Sequence, residues 1–249
     1  MSALLVLSKI SKSFESGLQA IAALDLDVRD GEFLSLVGPS GCGKSTALRI
    51  IAGLIAPTTG SVEWIGVKPE IGFVFQEPTL MPWRTALGNA ILPLELKGIA
   101  RGDAEARSRD ALARVGLAGF ENAHLRELSG GMKMRVSIAR ALAAAPKLLL
   151  MDEPFAALDE LTRQSLNDDL LKLAREDNIT VVFVTHSVYE SAYLSDRVIV
   201  MTPRPGRVEA DIALSAPENR TADYRLTPQF ADNARKISTA LSQAMGRAA

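Results

Sequence analysis

Residues Gly38-Pro39-Ser40-Gly41-Cys42-Gly43-Lys44-Ser45-Thr46 place a glycine-rich run ahead of a lysine and two hydroxyls. The spacing is G-x-x-x-x-G-K-[ST], the P-loop pattern. A phosphate chain needs many donors in little space. Glycines let successive backbone N–H groups turn inward without a Cβ in the way. A helix opening near Lys44 adds the positive end of its dipole. Lys44 is expected to reach the β- and γ-phosphates, Ser45 to bind Mg²⁺, and Thr46 to contact the α-phosphate side. A chance glycine-rich turn is the alternative, and the placement between an apolar strand and a helix argues against it. Cys42 has two readings, a small residue filling a loop position or a thiol activated by the helix start.

Leu148-Leu149-Leu150-Met151-Asp152-Glu153 is an apolar strand ending in two carboxylates, the Walker B pattern. In parallel α/β sheets chemistry gathers at the carboxyl ends of strands. Asp152 is expected to hold Mg²⁺, largely through water, and Glu153 to polarise an attacking water as general base. Two solvent-facing acids would be the bland reading of the same string. Leu128-Ser129-Gly130-Gly131-Met132 starts an amphipathic helix. A hydroxyl, bare backbone N–H groups and a helix dipole there make a second anion site.

The patterning predicts the elements that must carry these groups. Residues 3–9 and 20–28 alternate like half-exposed antiparallel strands. Phe33–Val37 is a short apolar strand that ends in Gly38, and Lys44–Leu54 a helix with Leu48, Ile51 and Leu54 on one face and Pro57 beyond it. Strands follow at Ser61–Ile65 and Ile71–Phe75. Residues 85–145 turn helical, over Thr85–Leu96 (kinked or broken by Pro93), Asp103–Val115 and Gly130–Ala144. Alternation then resumes with strand Lys147–Met151, helix Asp159–Arg175, and strands Ile179–Thr185 and Arg197–Met201. The turn Pro205-Gly206 is expected to join Arg197–Met201 to Arg207–Ile212 as a hairpin, and a helix at about 228–245 closes the chain. A helical block set between strands of a parallel sheet implies a core with a helical arm.

The chain has 249 residues, long enough for one elaborated α/β domain. Its 28 basic and 29 acidic residues nearly cancel, to a net charge of −1, which argues against a general nucleic-acid binder. One cysteine and two histidines exclude an intramolecular disulfide and leave little for a Cys- or His-based metal centre. No apolar run approaches the length of a membrane span and the N-terminus lacks a basic leader, so the expectation is a soluble chain that can still dock on a membrane protein.

In this order the motifs resemble the ATP-binding cassette (ABC) ATPases, over about residues 4–215. Phe14 matches the aromatic that stacks on adenine, Gly38–Thr46 Walker A, and Gln76 the Q-loop. Leu128–Met132 matches the signature, Leu148–Glu153 Walker B, Ala157-Leu158-Asp159 the D-loop, and His186 the switch histidine. Two positions depart from the family pattern: Met132 replaces the commoner Gln, and Phe14 replaces Tyr, keeping the stacking face. Simpler roles stay open for several residues. Phe14 could pack in the core, Gln76 could lie on a surface loop, Asp159 could cap a helix, and His186 could end a strand.

The resemblance implies a P-loop NTPase (RecA-like) α/β core with an antiparallel β subdomain and an inserted α-helical subdomain. As one ABC ATPase domain over 1–249, the core and β subdomain would span about 1–84 and 146–215, the helical subdomain about 85–145, and a helical tail about 216–249. It implies ATP and Mg²⁺ as cofactors. Nucleotide contacts would fall to Phe14, Gly38, Ser40, Gly41, Cys42, Gly43, Lys44, Ser45, Thr46, Ser129, Gly130, Gly131 and Asp159. Glu153, His186 and Gln76 would serve catalysis, and Ser45, Gln76 and Asp152 the metal. Two copies would clamp ATP head to tail as a homodimer, on the cytoplasmic face of the membrane, with transmembrane permease subunits and indirectly an extracytoplasmic solute-binding protein. Gln76–Thr85 and Met201–Arg207 look most like the nitrate/sulfonate/taurine importer branch, with Met81, Pro82 and Trp83 as an apolar docking group. The alternatives are a soluble cassette ATPase acting on nucleic acid or in assembly, and another P-loop enzyme such as a kinase, which Leu128–Met132 and His186 disfavour.

Overall fold

A computed structural model describes residues 2–246. The strands are β1 (Ala3–Ser13), β2 (Gln19–Arg29), β3 (Phe33–Val37), β4 (Thr59–Trp64), β5 (Ile71–Val74), β6 (Leu148–Asp152), β7 (Thr180–Thr185), β8 (Arg197–Met201) and β9 (Val208–Ala213). The helices are α1 (Lys44–Ala52), α2 (Ala86–Ala90), α3 (Leu92–Leu96), α4 (Arg101–Arg114), α5 (Gly130–Ala143), α6 (Glu160–Glu176), α7 (Val188–Leu194) and α8 (Pro228–Gly246). The fold class is α/β, as expected for a P-loop NTPase core. The described residues form two compact units. One runs up to Lys68 and resumes at Ala174; the other spans Pro69–Leu173.

In the first unit β2, β1 and β4 form an antiparallel sheet. Leu5, Leu7, Ile10, Ile21, Leu24, Leu26 and Val28 are buried while the intervening residues are more exposed. That is the alternation of a sheet covered on one face. β3 lies between β7 and β8 in parallel, and β9 runs antiparallel to β8. Every residue of β3, β7 and β8 is buried, the signature of strands covered on both faces.

Helix α1 is shorter than its apolar pattern predicts. Gly53 takes φ 77°, and its N–H and that of Leu54 bond the carbonyls of Ile50 and Arg49 at 3.0 and 2.9 Å. This left-handed glycine ends the helix and turns Leu54 out of it, so Leu54 is 57% exposed rather than on the buried face. Arg197 of β8, almost fully buried, ties β2, the residue that precedes β3, and β9 by pairing with Asp27 (3.0 Å), Glu32 (3.3 Å) and Asp211 (2.9 Å). Helix α8 packs on α7, β8 and β9 through Phe230, Ala234 and Ile237, beside the Tyr224–Phe230 edge contact.

In the second unit β5 and β6 pair in parallel, Val74 opposite Met151. Pro93 stands in the first turn of α3, where its missing N–H does no harm, so the predicted Thr85–Leu96 helix divides into α2 and α3. Helix α5 packs against α2, α3, α4 and β5. Among the described residues no helix is long and apolar enough to cross a membrane.

Candidate functional site

The P-loop leaves β3 at Val37 and enters α1 at Lys44. Its glycines are required by geometry. Gly43 has φ 104°, and a Cβ there would lie 2.8 Å from the Ala20 carbonyl oxygen and from Ile21 Cγ1. Gly41 has φ 76°. Left-handed backbone and close approach are what glycine permits. Lys44 is buried, and its ammonium donates to the Gly38 carbonyl at 2.8 Å and the Pro39 carbonyl at 3.1 Å. The loop therefore closes around its own lysine.

His186 belongs to the same unit. It follows Thr185, the last residue of β7, which is in register with Val37 of β3. The P-loop and the histidine thus leave neighbouring parallel strands at one edge, the edge where α/β sheets bind ligands. His186 is exposed. Phe14 is 40% exposed, with the Lys12 ammonium 5.5 Å above its ring. It is no core residue, and an accessible aromatic face suits stacking.

In the second unit, the register of β5 on β6 brings Gln76 and Glu153 to the same strand ends, each two residues past the pair Val74 and Met151. Asp152 is buried as the last residue of β6. Glu153 has φ 46°, a left-handed conformation costly for a residue with a Cβ. Ser129 caps α5, its Oγ accepting from the Met132 N–H at 3.2 Å. Gly130 and Gly131 follow in the first turn. A Cβ on Gly131 would sit 2.6 Å from Thr162 Cγ2. Asp159 caps α6, its carboxylate accepting from the Thr162 N–H at 3.0 Å, and that bond holds its pKa below the ordinary value. Thr162 therefore links the Ser-Gly-Gly helix start to the Asp159 turn.

An ABC transporter family profile matches residues 21–156. The chain is 50% identical over 228 residues to an uncharacterized ABC transporter ATP-binding protein of Methanocaldococcus jannaschii, covering 88% of this chain and 85% of that one. It is 41% identical over 241 residues to the taurine import ATP-binding protein TauB of Jannaschia sp., covering 92% and 90%. Among solved structures, a dimeric ATP-binding cassette in a post-hydrolysis state with ADP and Pi aligns with a TM-score of 0.75 and 36% identity, over 86% of this chain and all of that one.

The chain belongs to the ABC transporter family. It is an ATP-binding subunit of that family and an ATPase. Within this ABC cassette Cys42 is buried, its Sγ 3.0 Å from where a Gly38 Cβ would be, which favours the packing role for the thiol.

Two arginines of the cassette hold backbone outside the motifs' own roles. Arg140, on α5, donates to the carbonyls of Pro78 and Thr79 at 3.0 and 2.9 Å and to Thr79 Oγ1 at 3.0 Å. It fastens the segment after Gln76 to the helix that begins at Ser129, and burial lowers its pKa. Arg204 donates from Nε to the Gly41 carbonyl at 3.1 Å. Neither contact is marked in the sequence, although Arg204 lies in the Met201–Arg207 stretch, because each bonds backbone far away along the chain. Helix α7 did carry a sequence signal. Ser187, with Glu190 three residues on, caps it in a capping-box spacing, but seven residues are too few to show a helical period.

Proposed function

We propose that this ABC ATPase energises uptake of a small solute, taurine or a related sulfonate or nitrate-like anion, through a separate membrane permease. The observation that carries the reading is the nearly end-to-end likeness to a protein named for taurine import. The exposure of Trp83, 73%, supports a docking role for the loop Met81-Pro82-Trp83, which would receive a short helix of the permease.

In this reading two copies pair head to tail at the cytoplasmic face, as peripheral subunits. Each completes the other's nucleotide site by bringing Ser129, Gly130 and Gly131 to the γ-phosphate held by Gly38–Thr46. The charge is then shared between two helix N-termini, so nucleotide joins the copies and hydrolysis loosens them. Phe14 stacks on adenine, and Lys44 exchanges its loop carbonyls for phosphate oxygens. Glu153 takes a proton from the attacking water. His186 supports the γ-phosphate side, and Gln76 and Asp159 report its state. Residues 85–145 act as the arm that passes closure to the permease, and an extracytoplasmic solute-binding protein delivers the cargo.

A Mg²⁺ ion fits the donor set. Ser45 and Asp152, with Gln76, offer hard oxygens suited to an ion that keeps much of its water shell. When bound, it would neutralise phosphate charge. Near-zero net charge supports transport over a nucleic-acid role.

The test is reconstitution of the chain with its permease and binding protein in vesicles. ATP hydrolysis should rise when taurine or an alkanesulfonate is supplied outside. Hydrolysis that no such solute stimulates, with nucleic acid stimulating it instead, would reverse the reading.

A further inference from the structure

The segment Met201–Arg207, between β8 and β9, lies as a strap along the outside of the P-loop. Its turn is closed by Thr202 and Arg207. The Thr202 N–H bonds the Arg207 carbonyl at 3.0 Å, and the Arg207 N–H bonds Thr202 Oγ1 at 3.1 Å. The strap touches the loop at three places. A Cβ on Gly38 would lie 2.9 Å from the Met201 carbonyl oxygen. A Cβ on Gly206 would lie 1.9 Å from the Cys42 carbonyl oxygen, so only glycine fits there. Gly206 is fixed to β2 through its N–H on the Ala20 carbonyl (2.9 Å) and its carbonyl under the Ala22 N–H (3.0 Å).

The third contact is Arg204. Its Nε holds the Gly41 carbonyl at 3.1 Å, and its Nη2 lies 2.6 Å from where a Cβ of Gly41 would be. The guanidinium therefore occupies the space that a side chain on this left-handed glycine would need. Among the described residues no carboxylate pairs with Arg204, so its hydrogen bond is spent on the loop backbone. A trans peptide points its C=O and N–H in opposite directions. Holding the Gly41 carbonyl thus fixes the opposed Cys42 N–H, which donates to the Pro39 carbonyl at 3.3 Å and closes the Pro39–Cys42 turn.

We propose that Arg204 is a positioning residue for nucleotide binding: by fixing the Gly41–Cys42 peptide it holds the Pro39–Cys42 turn of the loop in the shape that receives the phosphates. The proposal rests on the P-loop as the nucleotide site. The strap then acts as a backing plate that keeps the cradle in its binding shape before nucleotide arrives.

The experiment is equilibrium binding of ADP to purified Arg204→Ala, Arg204→Lys and Lys44→Ala chains, with melting of each nucleotide-free chain. Loss of one hydrogen bond predicts an ADP Kd raised about three- to tenfold in Arg204→Ala. Arg204→Lys should match it, because an ammonium keeps the charge but not the planar Nε donor. The nucleotide-free melting point of Arg204→Ala should stay within about 2 °C of wild type, while the rise on adding ADP shrinks. Wild-type affinity in Arg204→Lys would mean that charge alone acts, and would overturn the proposal. So would a lowered nucleotide-free melting point with unchanged Kd. Unchanged affinity in Arg204→Ala beside lost binding in Lys44→Ala removes Arg204 alone. Unchanged affinity in all three removes the P-loop reading as well.

Discussion

Val37 and Thr185 face each other in the parallel pairing of β3 and β7, so Gly38 and His186 leave the sheet side by side. Thr185 is held in turn. Its hydroxyl donates to the buried carboxylate of Glu190 and accepts from the Ser187 N–H at 3.0 Å. The backbone on both sides of the histidine is fixed while the imidazole stays exposed. His186→Ala should keep ADP affinity near wild type and slow ATP hydrolysis by about a hundredfold or more, the scale of one lost polar group at a transition state. Steady-state hydrolysis beside equilibrium binding checks this. Undiminished hydrolysis would take His186 out of the chemistry.

Glu153 combines a carboxylate at a strand end with φ 46°. Strain of this kind persists where a function requires it. Glu153→Gly should therefore raise stability by about 1 kcal/mol, the cost of left-handed backbone for a residue with a Cβ, while abolishing most turnover. Glu153→Gln should leave stability unchanged, retain ATP binding, and lower turnover by about 10²–10⁴. Urea unfolding and single-turnover hydrolysis separate the two effects. Equal stability of the glycine and glutamine variants would remove the strain argument.

Asp27 and Glu32 flank Arg197 and should respond to pH in opposite directions. Burial disfavours the charge on both. At Asp27 burial is the largest single influence, but the Arg197 and Arg29 guanidinium groups together outweigh it and hold the pKa down. At Glu32 burial wins and the pKa rises. A lowered folded value contributes stability above the unfolded pKa and loses it as pH falls through the folded one; a raised value does the reverse. Asp27→Asn should cost most at neutral pH and converge on wild type in acid. Glu32→Gln should cost most in acid, with the deficit shrinking as pH rises. Urea unfolding of the three chains from about pH 4 to about pH 8 tests the crossing, a window set by the carboxylate range. Parallel curves would contradict it.

Trp83 is large, apolar and 73% exposed. Trp83→Ala should shift stability by no more than about 0.5 kcal/mol, as surface substitutions do, and should keep the hydrolysis of the isolated chain. Co-purification with the permease and solute-stimulated hydrolysis in vesicles should fall. A substantial loss of stability would place the ring in the fold's own packing.

Much of this was legible in local patterns. Phe33–Val37 and Ile179–Thr185 are rich in apolar and β-branched residues and were legible as strands. The glycines at 41 and 43 stand where the backbone turns left-handed. The serine at 129, at a helix start, is met by a side-chain cap on the Met132 N–H. Other features were hidden for identifiable reasons. Leu54 keeps the helical period of α1, yet Gly53 stops the helix one residue earlier, a case where backbone freedom outranks hydrophobic pattern. Pro93 divides a helical run without ending its burial, since Leu94 remains in the core.

The amino-acid sequence by itself determined the phosphate cradle, the order of the motifs and the α/β class, because glycine spacing, caps and strand burial are encoded within a few residues. Only the tertiary structure decided that Arg204 reaches Gly41 across 163 residues of chain, that Arg140 grips Thr79 across 61, and that Glu153 bends left-handed. A long side chain bonding a distant backbone carbonyl leaves no periodic mark. Its partner exists only once the sheet has brought the two segments together.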